Sequence, residues 1–213
     1  MSRLIIPIGP ADPAGNAVDE AVIILARGGV VAYPTETFYG LGADGTNESA
    51  IGRIFEIKGR GRQIPLSVII GDRSDLGRLV AKIPEGARKL ADAFWPGAIT
   101  ILFDALPDVP GILTAGTGKI GVRLSSNPVA ALLARRLGRP LTATSANPSG
   151  FPECTSADEV LATLGNSVDA VIDGGVTPGG SGSTIIDVTV EPPLVIREGV
   201  LAVTAIDAVL GRR

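Results

Sequence analysis

The chain contains no histidine, and its 213 residues include a single cysteine, Cys154. The first absence removes Ser-His and Cys-His nucleophile pairs, imidazole acid–base chemistry and His-ligated metals. The second excludes an intramolecular disulfide and a multi-cysteine zinc site. Aromatic residues are scarce at 4%, so the 45% hydrophobic fraction that must build the core is mainly aliphatic. No uninterrupted apolar run approaches the roughly 18 to 20 residues of a membrane span, and residues 1–7 lack the apolar stretch of a signal peptide. A cytoplasmic protein with no membrane partner is expected. The formal net charge of −3 argues against a surface that is a nucleic-acid footprint throughout, although it leaves room for a local basic groove. Any chemistry must therefore use Lys, Arg, carboxylates, hydroxyls and backbone groups.

What is present is concentrated in residues 28–66. An apolar stretch runs into Pro34-Thr35-Glu36-Thr37, a helical stretch follows, and then Lys58-Gly59-Arg60-Gly61-Arg62 places three cations within five residues. Glycine lets a ligand approach the backbone, and cations alternating with it suit an anion such as a phosphate chain. The same cations also read as a solvated helix end that complements the macrodipole. Around this unit the periodicity predicts helices at 17–27, 47–57, 74–81, 84–94, 127–137, 156–164 and from 204, with strands at 29–33, 66–70, 98–103, 119–124, 140–144, 170–172, 184–190 and 194–197. Asn127-Pro128 and Gly138 bracket one helix, and Ser156 with Glu159 forms a capping box for another. The 28 glycines and 16 prolines supply many turns. The fold class is α/β: a single domain over 1–213 with a twisted open mixed parallel/antiparallel sheet flanked by helices.

Two motifs are deceptive. Gly116-x-Gly118-x-x-Gly121 matches a dinucleotide fingerprint, yet a strand rather than a helix is expected after it, so no helix N-terminus would receive a pyrophosphate. Asn47-Glu48-Ser49 is formally a glycosylation sequon but reads better as a helix cap. More informative are Thr35 and Thr37 at one strand end and Ser145-Ala146-Asn147 at another, where open α/β sheets place ligands. Arg123 closes an apolar strand, and a buried guanidinium needs a carboxylate or phosphate partner. Arg197 is a further candidate for phosphate, and residues 179–184 suit a mobile lid or a hydroxyl-lined pocket.

Taken in order, Gly28-Gly29-x-Val31-x-Tyr33-Pro34-Thr35-Glu36-Thr37-x-Tyr39-Gly40-Leu41-Gly42, Lys58-x-Arg60 with Pro65-Leu66, Phe94-Trp95-Pro96-Gly97, Val122-Arg123, Ser145-x-Asn147, Asp173-Gly174-Gly175, Gly182-Ser183-Thr184-Ile185 and Val195-Ile196-Arg197-x-Gly199 resemble the YrdC family of threonylcarbamoyl-AMP synthases. The resemblance is to the short, single-domain form. It implies a YrdC-like fold and an ATP-dependent nucleotidyltransferase that condenses L-threonine, bicarbonate and ATP to threonylcarbamoyl-AMP and pyrophosphate, for the threonylcarbamoyladenosine modification of tRNA. It further implies catalytic roles for Lys58, Arg60, Ser145 and Asn147. ATP contacts fall at Lys58, Arg60, Ala143, Ser145, Asn147 and Arg197, and L-threonine contacts at Thr35, Ser67, Arg123 and Ser183. Mg²⁺ would arrive with ATP, no protein metal site is implied, and the downstream partners would be tRNA threonylcarbamoyl-transfer proteins, with at most weak tRNA contact. The position at which family members often carry histidine is Ile69 here, so no role is carried over to it.

Two other classes compete. An RNA-binding or ribosome-assembly factor would use a basic concave face, against which the acidic balance weighs. A carbamoyl-transfer module of the hydrogenase-maturation type would share the fold and the adenylate chemistry, but complete enzymes of that type carry zinc-finger regions that one cysteine cannot supply.

Overall fold

The computed structural model describes residues 4–8 and 15–212; residues 1–3, 9–14 and 213, where the ends of the expected domain fall, lie outside the described residues. In chain order the elements are β1 (Leu4–Pro7), α1 (Gly15–Ala26), β2 (Val31–Pro34), β3 (Tyr39–Gly42), α2 (Glu48–Lys58), β4 (Ser67–Ile69), α3 (Glu85–Phe94), β5 (Ile99–Asp104), α4 (Gly111–Thr114), β6 (Lys119–Arg123), α5 (Pro128–Leu137), β7 (Leu141–Ser145), α6 (Ala157–Leu164), β8 (Ala170–Asp173), β9 (Thr184–Asp187), β10 (Leu194–Arg197) and α7 (Val203–Leu210). The ten strands form one sheet in the order β1-β8-β2-β3-β7-β4-β6-β5-β9-β10. Parallel neighbours are β1/β8, β8/β2, β4/β6 and β5/β9, and the remaining pairs are antiparallel. The mixed sheet expected from the sequence is what forms.

Both faces of the sheet are covered. Strand side chains alternate between faces, so Val30 and Ala32 join the core under α2, α3, α6 and α7, whereas Val31 and Tyr33 join the one under α1 and α5. Val68 and Ile69 of β4 divide in the same way. Burial on both faces explains why β2 and β8 read as continuous apolar runs rather than as alternating patterns, whereas β10 at the sheet edge is largely exposed.

Local capping sets several boundaries. The Asn47 side chain accepts the Ala50 N–H and starts α2, which ends where Gly59 turns left-handed at φ 58°. Asn127 accepts the Val129 and Ala130 N–H groups ahead of Pro128, and Gly138 closes α5. Ser156 caps Glu159 N–H, while the Glu159 carboxylate takes the Thr155 N–H and hydroxyl.

The structure departs from expectation in several places, and the strand expected at 184–190 ends at Asp187. β1 and β3 are strands where none was anticipated, α4 is a short helix inside the expected 104–118 loop, and Arg73–Arg78 is a 3-10 helix capped reciprocally by Asp72 and Asp75. Gly116 and Gly118 lead directly into β6, so the dinucleotide pattern has no helix after it. Among the described residues no helix is long and apolar enough to cross a membrane.

Candidate active site

A cavity of about 510 Å³ is lined by residues of and around β2–β3, β4, β6, β7, β9 and β10, and all ten residues expected at the site line it: Thr35, Lys58, Arg60, Ser67, Arg123, Ala143, Ser145, Asn147, Ser183 and Arg197. The sheet brings them together. Antiparallel pairing sets Gly40 of β3 against Ser145 of β7 and Ser67 of β4 against Ala143 of β7, while parallel pairing sets Ile69 of β4 against Arg123 of β6. β9 then carries Ser183 to β5, where its hydroxyl lies 3.0 Å from Thr100 Oγ1.

One wall is a cationic clamp. Lys58, at the end of α2, is only 3% exposed. Its Nζ donates to Ser145 O at 2.7 Å, Asn147 O at 2.7 Å and Asn147 Oδ1 at 3.0 Å, which uses all three ammonium protons. Burial first, and the charge of Arg60 second, bring its pKa down to about 8. Ser145 Oγ in turn donates to Asn147 Oδ1 at 2.6 Å, and Asn147 Nδ2 donates to Phe151 O. The helix end therefore fixes the loop that follows β7. Arg60 packs its guanidinium over Phe55, 5.7 Å from the ring centroid, and its buried Nε has no hydrogen-bond partner. Arg62, the third cation of the basic run, does not line the cavity; its Nη2 lies over Gly52 of α2 instead.

The opposite wall carries hydroxyls and arginines. Thr35 Oγ1 donates to Phe38 O at 2.6 Å and accepts the Thr37 N–H at 3.1 Å, so the turn between β2 and β3 is held by its own side chains. Arg197 donates from Nε and Nη2 to Ser183 O, at 3.2 and 2.8 Å. This puts Arg197 beside Ser183, although the resemblance assigns them to different substrates. Residues 182 and 183 of the glycine-rich segment are cavity wall.

Arg123 does have the carboxylate partner that its burial demands, but it belongs to the protein. Glu36 Oε1 lies 2.6 Å from Arg123 Nη2 and 3.0 Å from Nε. Ser125 Oγ donates to the other carboxylate oxygen. Burial alone would push the Glu36 carboxyl up, but the Arg123 charge and the Ser125 and Arg123 hydrogen bonds outweigh it and hold the carboxyl below its ordinary value. Sequence reasoning missed Glu36, Ser125 and Thr100. For Glu36 there was a signal: an acid between two threonines directly after an apolar strand.

The cavity thus gathers Lys58, Arg60, Arg123 and Arg197, with Glu153 as the carboxylate that lines it. Such a site can neutralise a polyanion and orient a second anionic substrate against it.

Comparison with known proteins identifies the family. The Sua5/YciO/YrdC family model, described as "Telomere recombination", matches residues 23–199. A threonylcarbamoyl-AMP synthase of Pyrococcus abyssi is 41% identical over 187 residues, which is 88% of this chain and 55% of that protein. A putative threonylcarbamoyl-AMP synthase of Mycobacterium tuberculosis is 37% identical over 203 residues, covering 94% of this chain and 93% of its own length. The crystal structure of P. abyssi Sua5 complexed with L-threonine superposes with a TM-score of 0.93 at 37% identity, over 100% of this chain and 62% of that one. The chain spans about half the length of some curated relatives it matches and nearly all of others. Matched over most of its length in sequence and in fold, the chain belongs to the Sua5/YciO/YrdC family.

Proposed function

We propose that this chain is an ATP-dependent L-threonylcarbamoyladenylate synthase, a nucleotidyltransferase that serves threonylcarbamoyladenosine formation in tRNA in the cytoplasm. The observation that carries the reading is that residues expected at two substrates, drawn from six strands and one helix end, share one cavity. The names of the relatives and the L-threonine complex of P. abyssi Sua5 support it.

In this reading the threonine amine forms an N–C bond to bicarbonate, a C–O bond breaks and water leaves, and an oxygen of the resulting carbamate attacks the α-phosphorus of ATP and expels pyrophosphate. Two anions must approach, so the task is positioning and charge neutralisation, with neither a histidine nor a covalent enzyme intermediate required. Lys58, Arg60 and Arg197 offset the phosphate charge. Ser145, Asn147 and the Ala143 backbone position the nucleotide on β7, and Thr35, Ser67, Arg123 and Ser183 hold the amino acid. Mg²⁺ enters as part of the MgATP substrate. It would be held by phosphate oxygens and water rather than by a dedicated set of protein ligands. The adenylate passes to tRNA threonylcarbamoyl-transfer proteins.

The test is pyrophosphate release by the purified chain with ATP, L-threonine or bicarbonate omitted in turn, together with mass-spectrometric detection of threonylcarbamoyl-AMP. Release is expected only in the complete mixture. Release that persists unchanged without threonine overturns the reading.

A further inference from the structure

The turn between β2 and β3 sends Thr35 and Thr37 into the cavity but sends Glu36 sideways, to β6. The pair it makes with Arg123 is nearly closed to solvent, with side chains 13% and 7% exposed. Three donors from β6 and the residues after it converge on the one carboxylate: Arg123 Nε at 3.0 Å and Ser126 N–H at 3.4 Å on Oε1, and Ser125 Oγ on Oε2. Glu36 is thus held more firmly than a surface carboxylate would be.

The guanidinium is only half used by this arrangement. Nε donates to Glu36, and Nη2 touches Oε1 at 2.6 Å yet is buried without an aligned hydrogen bond. Nη1 has no protein partner among the described residues. An arginine presents its donors as a rigid planar fork, so fixing one edge fixes the direction of the other. Here the fixed edge is the Glu36 edge, and Arg123 lines the cavity.

We propose that Glu36 is a positioning residue for the amino-acid substrate: it anchors one edge of Arg123 so that the remaining guanidinium donors face the substrate carboxylate, and Ser125 holds Glu36 in that pose. This rests on the synthase reading for the identity of the substrate. Two physical consequences separate Glu36 from a merely structural acid. Its charge gives the buried Arg123 guanidinium a counter-ion while the site is empty. It also offsets the Arg123 charge, so this part of the cavity recognises a carboxylate by directed hydrogen bonds and leaves the phosphates to Lys58, Arg60 and Arg197.

The experiment compares the wild-type chain with E36Q, E36D and S125A. Steady-state pyrophosphate release is measured with threonine varied and then with ATP varied, and L-threonine binding is measured by calorimetry without turnover. Loss of a charged hydrogen-bond partner is expected to raise the threonine KM about tenfold or more in E36Q, with the ATP KM moved by less than about twofold. E36D is expected to recover part of the loss, and S125A to show a smaller rise in the same parameter. An unchanged threonine KM in E36Q, or equal rises for threonine and ATP, overturns the proposal. Should E36Q fail to fold, an unchanged threonine KM in S125A overturns it. Calorimetry separates this proposal from the reading beneath it. Wild-type chain that binds threonine but releases no pyrophosphate defeats the synthase, whereas equal threonine affinity in wild type and E36Q defeats the role of Glu36.

Discussion

A lysine buried to 3% exposure would ordinarily be an expensive residue, and Lys58 is tolerable because three oxygens of the Ser145–Asn147 loop accept its three protons. Its pKa, lowered to about 8 chiefly by burial, makes this clamp sensitive to mild alkali. Above that value two protons must serve three oxygens, and the cavity loses one positive charge. Stability and function should then respond in opposite directions. The folded chain releases this proton near pH 8 while the unfolded chain holds it up to the ordinary lysine value of 10.5, so between those values the unfolded state binds more protons. The Lys58 contribution to stability therefore rises with pH across that window. Nucleotide affinity should instead fall, by about tenfold, as the positive charge beside the phosphates is lost. Calorimetric titration of a non-hydrolysable ATP analogue from about pH 7 to pH 9.5 checks this, with Lys58→Met expected to remove the pH step. A wild-type affinity that stays flat across the range would rule the mechanism out.

Among the elements, β6 shows how a missing side chain builds the site. A Cβ on Gly121 would lie 2.6 Å from Ser67 Oγ on β4, and 3.1 Å from Thr100 Cγ2 on β5. Gly121 is therefore what lets the Ser67 hydroxyl stand in the cavity wall. Gly121→Ala should lower the stability to urea by about 1 to 3 kcal/mol, the usual range for overpacking, and raise the threonine KM. Ser67→Ala in the same chain removes the atom struck and should restore part of the loss, giving a coupling of at least about 0.5 kcal/mol in the double-mutant cycle. Strict additivity would show that the two residues do not share this space. Glycine also decides which elements were legible in the sequence. α2 and α5 were readable almost to the residue, because Asn47, Gly59, Asn127, Pro128 and Gly138 act locally. β3 was not readable, since Gly40 and Gly42 occupy alternate positions and erase the β-propensity signal. Their reason is tertiary: a Cβ on Gly40 would lie 3.1 Å from Tyr33 Cζ, and one on Gly42 would lie 2.8 Å from Leu141 Cδ1. The partnership of Glu36 with Arg123 was hidden likewise, because 87 residues separate them and only the strand order brings them together.

For the molecule as a whole, strand order divides the cavity between the two proposed substrates. In the proposed assignment the end of α2 and the loop after β7 serve the nucleotide, and the β2–β3 turn, β4, β6 and β9 serve threonine; all of them, with Arg197 of β10, line the one cavity. Both sides hang on the same sheet, so each ligand should stabilise the global fold, while each should depend on its own contacts. A ligand at a hundredfold excess over its Kd adds about 2.7 kcal/mol to the native state. For a chain of 213 residues that corresponds to a rise in Tm of roughly 5 to 10 °C, taking about 2 to 4 °C per kcal/mol. L-threonine and a non-hydrolysable ATP analogue should each produce such a rise in the wild type. Arg123→Lys keeps a cation beside Glu36, which avoids the roughly 3 to 5 kcal/mol cost of a buried unpaired carboxylate, but it destroys the planar fork. That variant should lose the threonine-induced shift and keep the nucleotide-induced one. If differential scanning fluorimetry finds both shifts lost together, the two sides are one cooperative site; if both persist, Arg123 does not hold the amino acid.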